Sequence, residues 1–230
     1  MAVTYNPKIV TDEIIFAYDP ANINSYVGTG ASSTDLVGKL TGTLTNSPSF
    51  STENGGFLSL DGSNDYVDFG NDVITPALPF SMQCWVNFPT LGTNEPIFVS
   101  SYHSSNYFGF WTQKNTSNIL KMHIGDGGTA ASSNRRTGTG PEITNNVWYN
   151  LVFVWRGVTD MSMYVDGVAQ SVSYDGTGGA LSYSSGKPAR IGYFRTHFSE
   201  VKISQILIYS KSLSDEEVRI NYNATKGRYL

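Results

Sequence analysis

Apolar residues recur at every second position in run after run, and each run ends in a corner rich in glycine, asparagine or aspartate. Side chains alternate across a strand but recur every 3.6 residues on a helix, so this pattern restricts most of the chain to β-structure. In residues 81–88, Met82, Cys84, Val86 and Phe88 share one face. Residues 13–18, 57–60, 66–69, 97–100, 107–112, 119–124, 189–194 and 201–209 read as further strands. Residues 148–155 are apolar on both faces, which predicts a central strand covered on each side. Asp166-Gly167 joins 161–165 to 168–172 and supplies the positive φ values of a two-residue hairpin turn. Asp61-Gly62-Ser63-Asn64-Asp65 is a dense turn signal between 57–60 and 66–69.

One helix is specified, over residues 214–225. Ser214 and Glu217 have the capping-box spacing, and Leu213 and Val218 form a staple pair across the cap. Acidic residues fill the first turn, and Lys226 and Gly227 are placed to close the last. Docking on the strands is expected through Val218 and Tyr222. No repeat and no Pro- or Ser-rich linker divides the chain. Residues 1–230 therefore read as a single domain, with an N-terminal arm over 1–11. At 230 residues it can bury a full core without metals or disulfides. The expected fold is all-β, a two-sheet antiparallel jelly-roll-like sandwich with a short C-terminal helix.

Charge and cysteine narrow the function. A net charge of −4 argues against nucleic acid, whose phosphates need a basic field, and there is no polybasic patch for an anionic membrane. No apolar run is long enough to span a bilayer. The opening residues hold no apolar segment of the kind a secretion signal needs, so synthesis in a cytoplasm is expected, even for a protein that later works outside a cell. Cys84 is the single cysteine and falls in a strand, where a small buried thiol is the plain reading.

Catalytic chemistry finds little to stand on. Glycoside cleavage needs paired carboxylates flanking the bond, and Glu95, Glu142 and Glu200 are isolated near loops or strand starts. No catalytic residue is assigned. His103, His123 and His197 lack zinc spacing and read as loop or surface histidines. The Gly-Thr-Gly triplets beginning at Gly28, Gly138 and Gly176 read as flexible turns, not as nucleotide loops. Asp61, Asp65 and Asp68 form the densest oxygen cluster and are the candidate Ca²⁺ ligands; a turn built by Asp explains the first two as well. No other cofactor is expected. Tyr102, Tyr107, Phe108, Phe110 and Trp111 crowd one segment, and Tyr183, Tyr193 and Phe194 another. Core or subunit packing is one reading of them, a stacking platform for sugar the other. Alternation places Tyr107 and Trp111 on one face and Phe108 and Phe110 on the other. Arg135-Arg136, in the Ser/Gly/Thr-rich stretch 125–140, is the only paired basic spot and reads as a solvated loop or a docking contact. Tyr102, Tyr107, Trp111, Arg135 and Arg136 are therefore the candidate ligand-binding residues.

A family resemblance rests on four segments. Residues 58–67, with Asp61-Gly62-Ser63-Asn64-Asp65-Tyr66-Val67, resemble the "FDG-x-NDYV" segment of laminin-G-like domains of the concanavalin A-like lectin/glucanase superfamily. Trp148-Tyr149-Asn150-Leu151-Val152 is similar to a strand of that family that opens on Trp. Tyr164-Val165-Asp166-Gly167 resembles its "YVDG" hairpin, and residues 206–214 followed by Glu217 resemble its closing strand and helix. In order, these cover about residues 12–223. The segments at 9–26 and 222–229 are similar to the openings and tails of laminin-G-like structural proteins of tailed bacteriophages. The resemblance implies a non-enzymatic virion component, either capsid decoration, head fibre or tail-associated protein. Its partners would be neighbouring virion proteins, in a homo-oligomer if sheet edges or loops associate, and host-surface polysaccharide. A lectin-like adhesin is the alternative, and a hydrolase or lyase on the same fold a more distant one. Relatives that bind Ca²⁺ often carry "IDE" in the closing strand, where this chain has Ile203-Ser204-Gln205, so two carboxylates of such a site are missing.

Overall fold

The alternating runs pair into two large antiparallel sheets stacked face to face, seen in a computed structural model that describes residues 8–230. Most of the N-terminal arm, residues 1–7, lies outside the described residues. In chain order the strands begin β1 (Ile14–Tyr18), β2 (Ser32–Thr34), β3 (Thr41–Thr45), β4 (Ser49–Ser51), β5 (Phe57–Asp61), β6 (Tyr66–Asn71) and β7 (Phe80–Asn87). They continue with β8 (Glu95–Val99), β9 (Phe110–Lys114), β10 (Ile119–Gly125), β11 (Arg135–Glu142), β12 (Trp148–Gly157) and β13 (Asp160–Val165). Then come β14 (Val168–Gln170), β15 (Ser173–Asp175), β16 (Pro188–Ile191), β17 (Tyr193–Phe194), β18 (His197–Phe198) and β19 (Glu200–Tyr209), before helix α1 (Asp215–Thr225). The first sheet runs β14-β13-β12-β7-β19-β5-β4, with β1 sharing the β5 side of β19. The second runs β15-β11-β10-β9-β8-β16-β6-β3-β2, and β17 and β18 form a separate small hairpin.

The core fills the space between the sheets. Met82, Cys84 and Val86 of β7 and Leu151, Phe153 and Trp155 of β12 meet Val67, Phe69, Phe98, Phe110, Met122 and Ile124 from the second sheet. Cys84 is fully buried, as expected, and burial pushes its thiol well above the ordinary cysteine range. β19 needs one irregularity to keep facing the core. Its pairing with β7 slips between Ile203 and Gln205, so Val201 and Ile203, then Ile206 and Ile208, all point inward.

The first sheet is covered on its outer face too, which explains why β12 is apolar on both sides. Val152, Val154, Leu207 and Tyr209 pack there under Leu213 and Val218. The capping box forms as the sequence predicts: the Ser214 hydroxyl accepts from the Glu217 amide, and the Glu217 carboxylate accepts from the Ser214 amide. Asn221, buried in α1, accepts from Val10 N–H at 2.7 Å and donates to Gln83 Oε1 at 2.8 Å and Tyr209 at 3.1 Å. Tyr222 stacks 6.0 Å from Trp85, and beyond the helix Tyr229 stacks on the same indole at 4.0 Å. The helix ends at Thr225 as expected, but Gly227 does not close it in a left-handed cap. A 3-10 turn over Lys226–Arg228 carries the chain on, and Arg228 is ion-paired to Asp19.

Three further expectations are corrected. Stretch 125–140 is not all loop: β11 begins at Arg135 and pairs with both β10 and β15. Gly138, read as a turn, lies inside that strand, where a Cβ would stand 2.8 Å from Met122; Gly140 has the same constraint against Met163. Glycine is there for close packing and not for flexibility. Phe108 does not share a face with Phe110, because Gly109 adopts φ +67° and breaks the alternation before β9 starts. The Asp166-Gly167 hairpin forms as expected, with φ of +52° and +79°.

Candidate functional site

Beside the small β17–β18 hairpin, the outer face of the second sheet carries a row of polar and aromatic side chains. On β9 and β10, Trp111 and His123 point outward while Phe110, Met122 and Ile124 point into the core. Pairing sets Trp111 opposite His123 and His123 opposite Thr137 of β11, so the three form one row across the sheet. The Trp111 and His123 rings stack at 4.6 Å, only 11° from parallel. Tyr107 stacks on Trp111 from the preceding loop at 5.0 Å, and Phe194 of the hairpin closes the other side at 5.0 Å. Gly125 makes this possible: a Cβ there would lie 2.2 Å from the Tyr107 carbonyl oxygen.

Above the rings is a cleft of about 330 Å³, lined by these residues together with Asn94, Gln113, Arg135, Arg195 and His197. Two guanidinium groups converge in it. Arg135 Nη1 and Arg195 Nη1 both donate to the Tyr107 hydroxyl, at 2.8 and 3.2 Å, and each guanidinium also lies over the Tyr107 ring. Arg135 Nε is held by Thr137 Oγ1 and Arg195 Nε by the Ser104 carbonyl. His123 is 4% exposed, with Nδ1 bonded to Thr137 Oγ1 at 2.9 Å and Nε2 without a partner. Burial, then the charges of Arg135 and Lys121, hold His123 well below the ordinary histidine range, so its ring is neutral.

A second cleft, of about 680 Å³, adjoins the first through Asn94, Thr196 and His197. It is lined by Asp61, Glu95 and Glu200, so two glutamates that are far apart in the sequence meet in space. Glu95 is buried, and both of its oxygens are engaged: Oε2 accepts from the Glu200 amide at 2.7 Å and Oε1 from the Thr93 hydroxyl. Burial raises the Glu95 pKa, and the same cause lowers that of the buried Lys114 nearby. Glu142 lies elsewhere, exposed at the end of β11.

The candidates from the sequence sort clearly. Tyr107, Trp111 and Arg135 come together in the first cleft, but Trp111, at 1% exposure, is its floor and not an open platform. Tyr102 stands beside the cleft. It stacks on Tyr193 at 5.1 Å and covers Arg190, which also sits over Tyr66 and Tyr193 and pairs with Asp68 at 2.8 Å. Burial and the Tyr193 hydroxyl raise the Tyr102 pKa to about 12. Alternation along β11 turns Arg136 away from the cleft, where it bonds the Gly176 carbonyl and lies over Tyr174. His123, expected in a loop or at the surface, is buried on a strand. Its place opposite Trp111, like that of Arg195 at the β17–β18 turn, depends on which strands pair, and no local motif signals it.

Two of the three aspartates are drawn into bonds within the protein. Asp61 Oδ1 accepts from the amides of Ser63, Asn64 and Asp65, which lowers its pKa. Asp68 is taken by Arg190 and the Gly70 amide. Among the described residues no three acidic, histidine or cysteine side chains gather as metal ligands. The turn reading holds.

The concanavalin A-like lectin/glucanases family profile matches residues 61–219, more than half of the chain. The chain belongs to this superfamily. No curated protein matches it. Solved structures similar to this concanavalin A-like domain include the receptor-binding domain of botulinum neurotoxin C/D mosaic serotype, at 14% identity and TM-score 0.66 over 93% of this chain and 52% of that one. Domain 4 of a GH43 extracellular arabinanase from Geobacillus stearothermophilus, solved with arabinotriose, matches at 14% identity and TM-score 0.64 over 93% of this chain and 98% of that one. Trypanosoma rangeli sialidase in complex with sialic acid matches at 12% identity and TM-score 0.65, over 98% of this chain and 36% of that one. The domain thus spans about half of the toxin chain and a third of the sialidase, and such identities establish a shared fold.

Proposed function

We propose that this concanavalin A-like domain is a non-catalytic adhesive module that binds saccharide in the cleft between β9–β11 and the β17–β18 hairpin. The observation that carries this reading is the cleft's make-up. An aromatic floor is ringed by fixed hydrogen-bond donors, on the sheet face that no helix covers. Aromatic rings pack on sugar faces, and a few placed polar groups fix orientation. The arabinanase domain solved with a trisaccharide and the toxin receptor-binding domain support it as users of the same scaffold. Absence of turnover belongs to the same reading, and it is supported by Glu95, engaged on both oxygens, and by Glu142, remote from both clefts. The module requires no cofactor.

The similarity of residues 9–26 and 222–229 to phage structural proteins supports a place on a bacteriophage particle, as capsid decoration, head fibre or tail-associated protein. A glycan array with the purified domain tests the binding function, and specific signals lost on Tyr107→Ala are the expected result. A flat array, or release of reducing ends from any bound polymer, overturns it. Antibody labelling of intact particles tests the location.

A further inference from the structure

Resting on that reading, we propose that the saccharide carries a carboxylate, as uronic and nonulosonic acids do, and that Arg135 and Arg195 hold it. Three observations converge. First, charge is uncompensated. The first cleft is lined by two arginines and by no aspartate or glutamate, in a protein of net charge −4. Neither arginine belongs to any ion pair among the described residues. Two guanidinium groups that converge on one hydroxyl repel each other, and an anion between them relieves that repulsion.

Second, the donors are prepared. Each guanidinium is fixed through Nε and Nη1, and neither Nη2 has a partner among the described residues. A planar fork with free N–H groups matches the two oxygens of a carboxylate. Thr137 Oγ1, which accepts from Arg135 Nε, also meets His123 Nδ1 at 2.9 Å, so the guanidinium is anchored to the row of side chains beneath it.

Third, Arg195 is kept where arginine is disfavoured. It occupies φ +60° in the two-residue turn between Phe194 and His197, a conformation that suits glycine or asparagine. Replacing it should therefore leave the fold intact.

The test is titration calorimetry of the full chain against four probes of equal length: an oligogalacturonate, its carboxyl-reduced neutral counterpart, a sialylated oligosaccharide and a sulfated neutral one. Binding of at least one carboxylated probe is expected, roughly tenfold or more tighter than the neutral and the sulfated probe, the scale of one charge-assisted hydrogen bond. Arg195→Asn should lose at least tenfold in affinity with no fall in Tm. Arg135→Gln should lose as much, and Arg156→Gln, which removes one positive charge on β12 far from the cleft, should lose nothing. Equal binding of the neutral probe, with Arg195→Asn unaffected, overturns the carboxylate while leaving the saccharide reading intact. Preference for the sulfated probe overturns it likewise. No binding of any probe brings down both.

Discussion

Trp111 does two things at once: it floors the cleft, and its stacked and tilted ring contacts tie Tyr107, His123 and Phe194 into one cluster. Truncating a buried indole strips contacts from all three neighbours, so Trp111→Ala should cost about 3–5 kcal/mol, read from urea unfolding. Trp111→Phe should cost clearly less and keep the fold. His123 gives a pH signature. Its folded pKa is depressed, so below about pH 6.5 the unfolded chain takes up a proton that the native state refuses. Stability is then full above that pH and falls as pH drops, by about 1.4 kcal/mol per unit, until the native ring also protonates. The slope between pH 7 and 5 should be shallower in His123→Gln by that amount. Of these residues, the sequence shows Tyr107 and Trp111 on one face, and Arg135 as an unusual basic spot. It does not show His123 or Arg195, because their neighbours come from other strands, and pairing between distant segments leaves no local periodicity.

At the level of elements, legibility follows how far each one depends on its own residues. The period-two runs and the Ser214–Glu217 box carry their instructions locally, and both form as read. β2, β3 and β11 are rich in Thr, Ser and Gly and show no apolar alternation. They are strands because the sheet beside them offers unpaired backbone and, for β11, because Gly138 and Gly140 let it lie close to two methionines. The hold of α1 on the first sheet is equally non-local. Ser214→Ala should lower stability by about 1 kcal/mol, the usual worth of a cap. Asn221→Leu should cost more, about 1–3 kcal/mol for each polar group it strands, since Val10 N–H, Gln83 and Tyr209 all lose a partner. Thermal melts of the two variants, ranked against each other, check both.

For the molecule as a whole, one core joins both sheets, and Cys84 lies at its centre. The thiol should be silent to a soluble thiol reagent in the native protein and react once on unfolding, at the rate of global opening. Partial labelling under native conditions would mean that the sheets separate independently. The sandwich is asymmetric: one broad side is sealed by α1, Val10 and Tyr229, while the groove opens on the opposite side. Leu230, which is 75% exposed, follows directly on Tyr229 at the sealed side. A bead, chip or carrier joined there would present the arginines to the medium instead of burying them against the support. Orientation is thus fixed by architecture, and many copies anchored this way would all look outward, so that weak single contacts add up across an array.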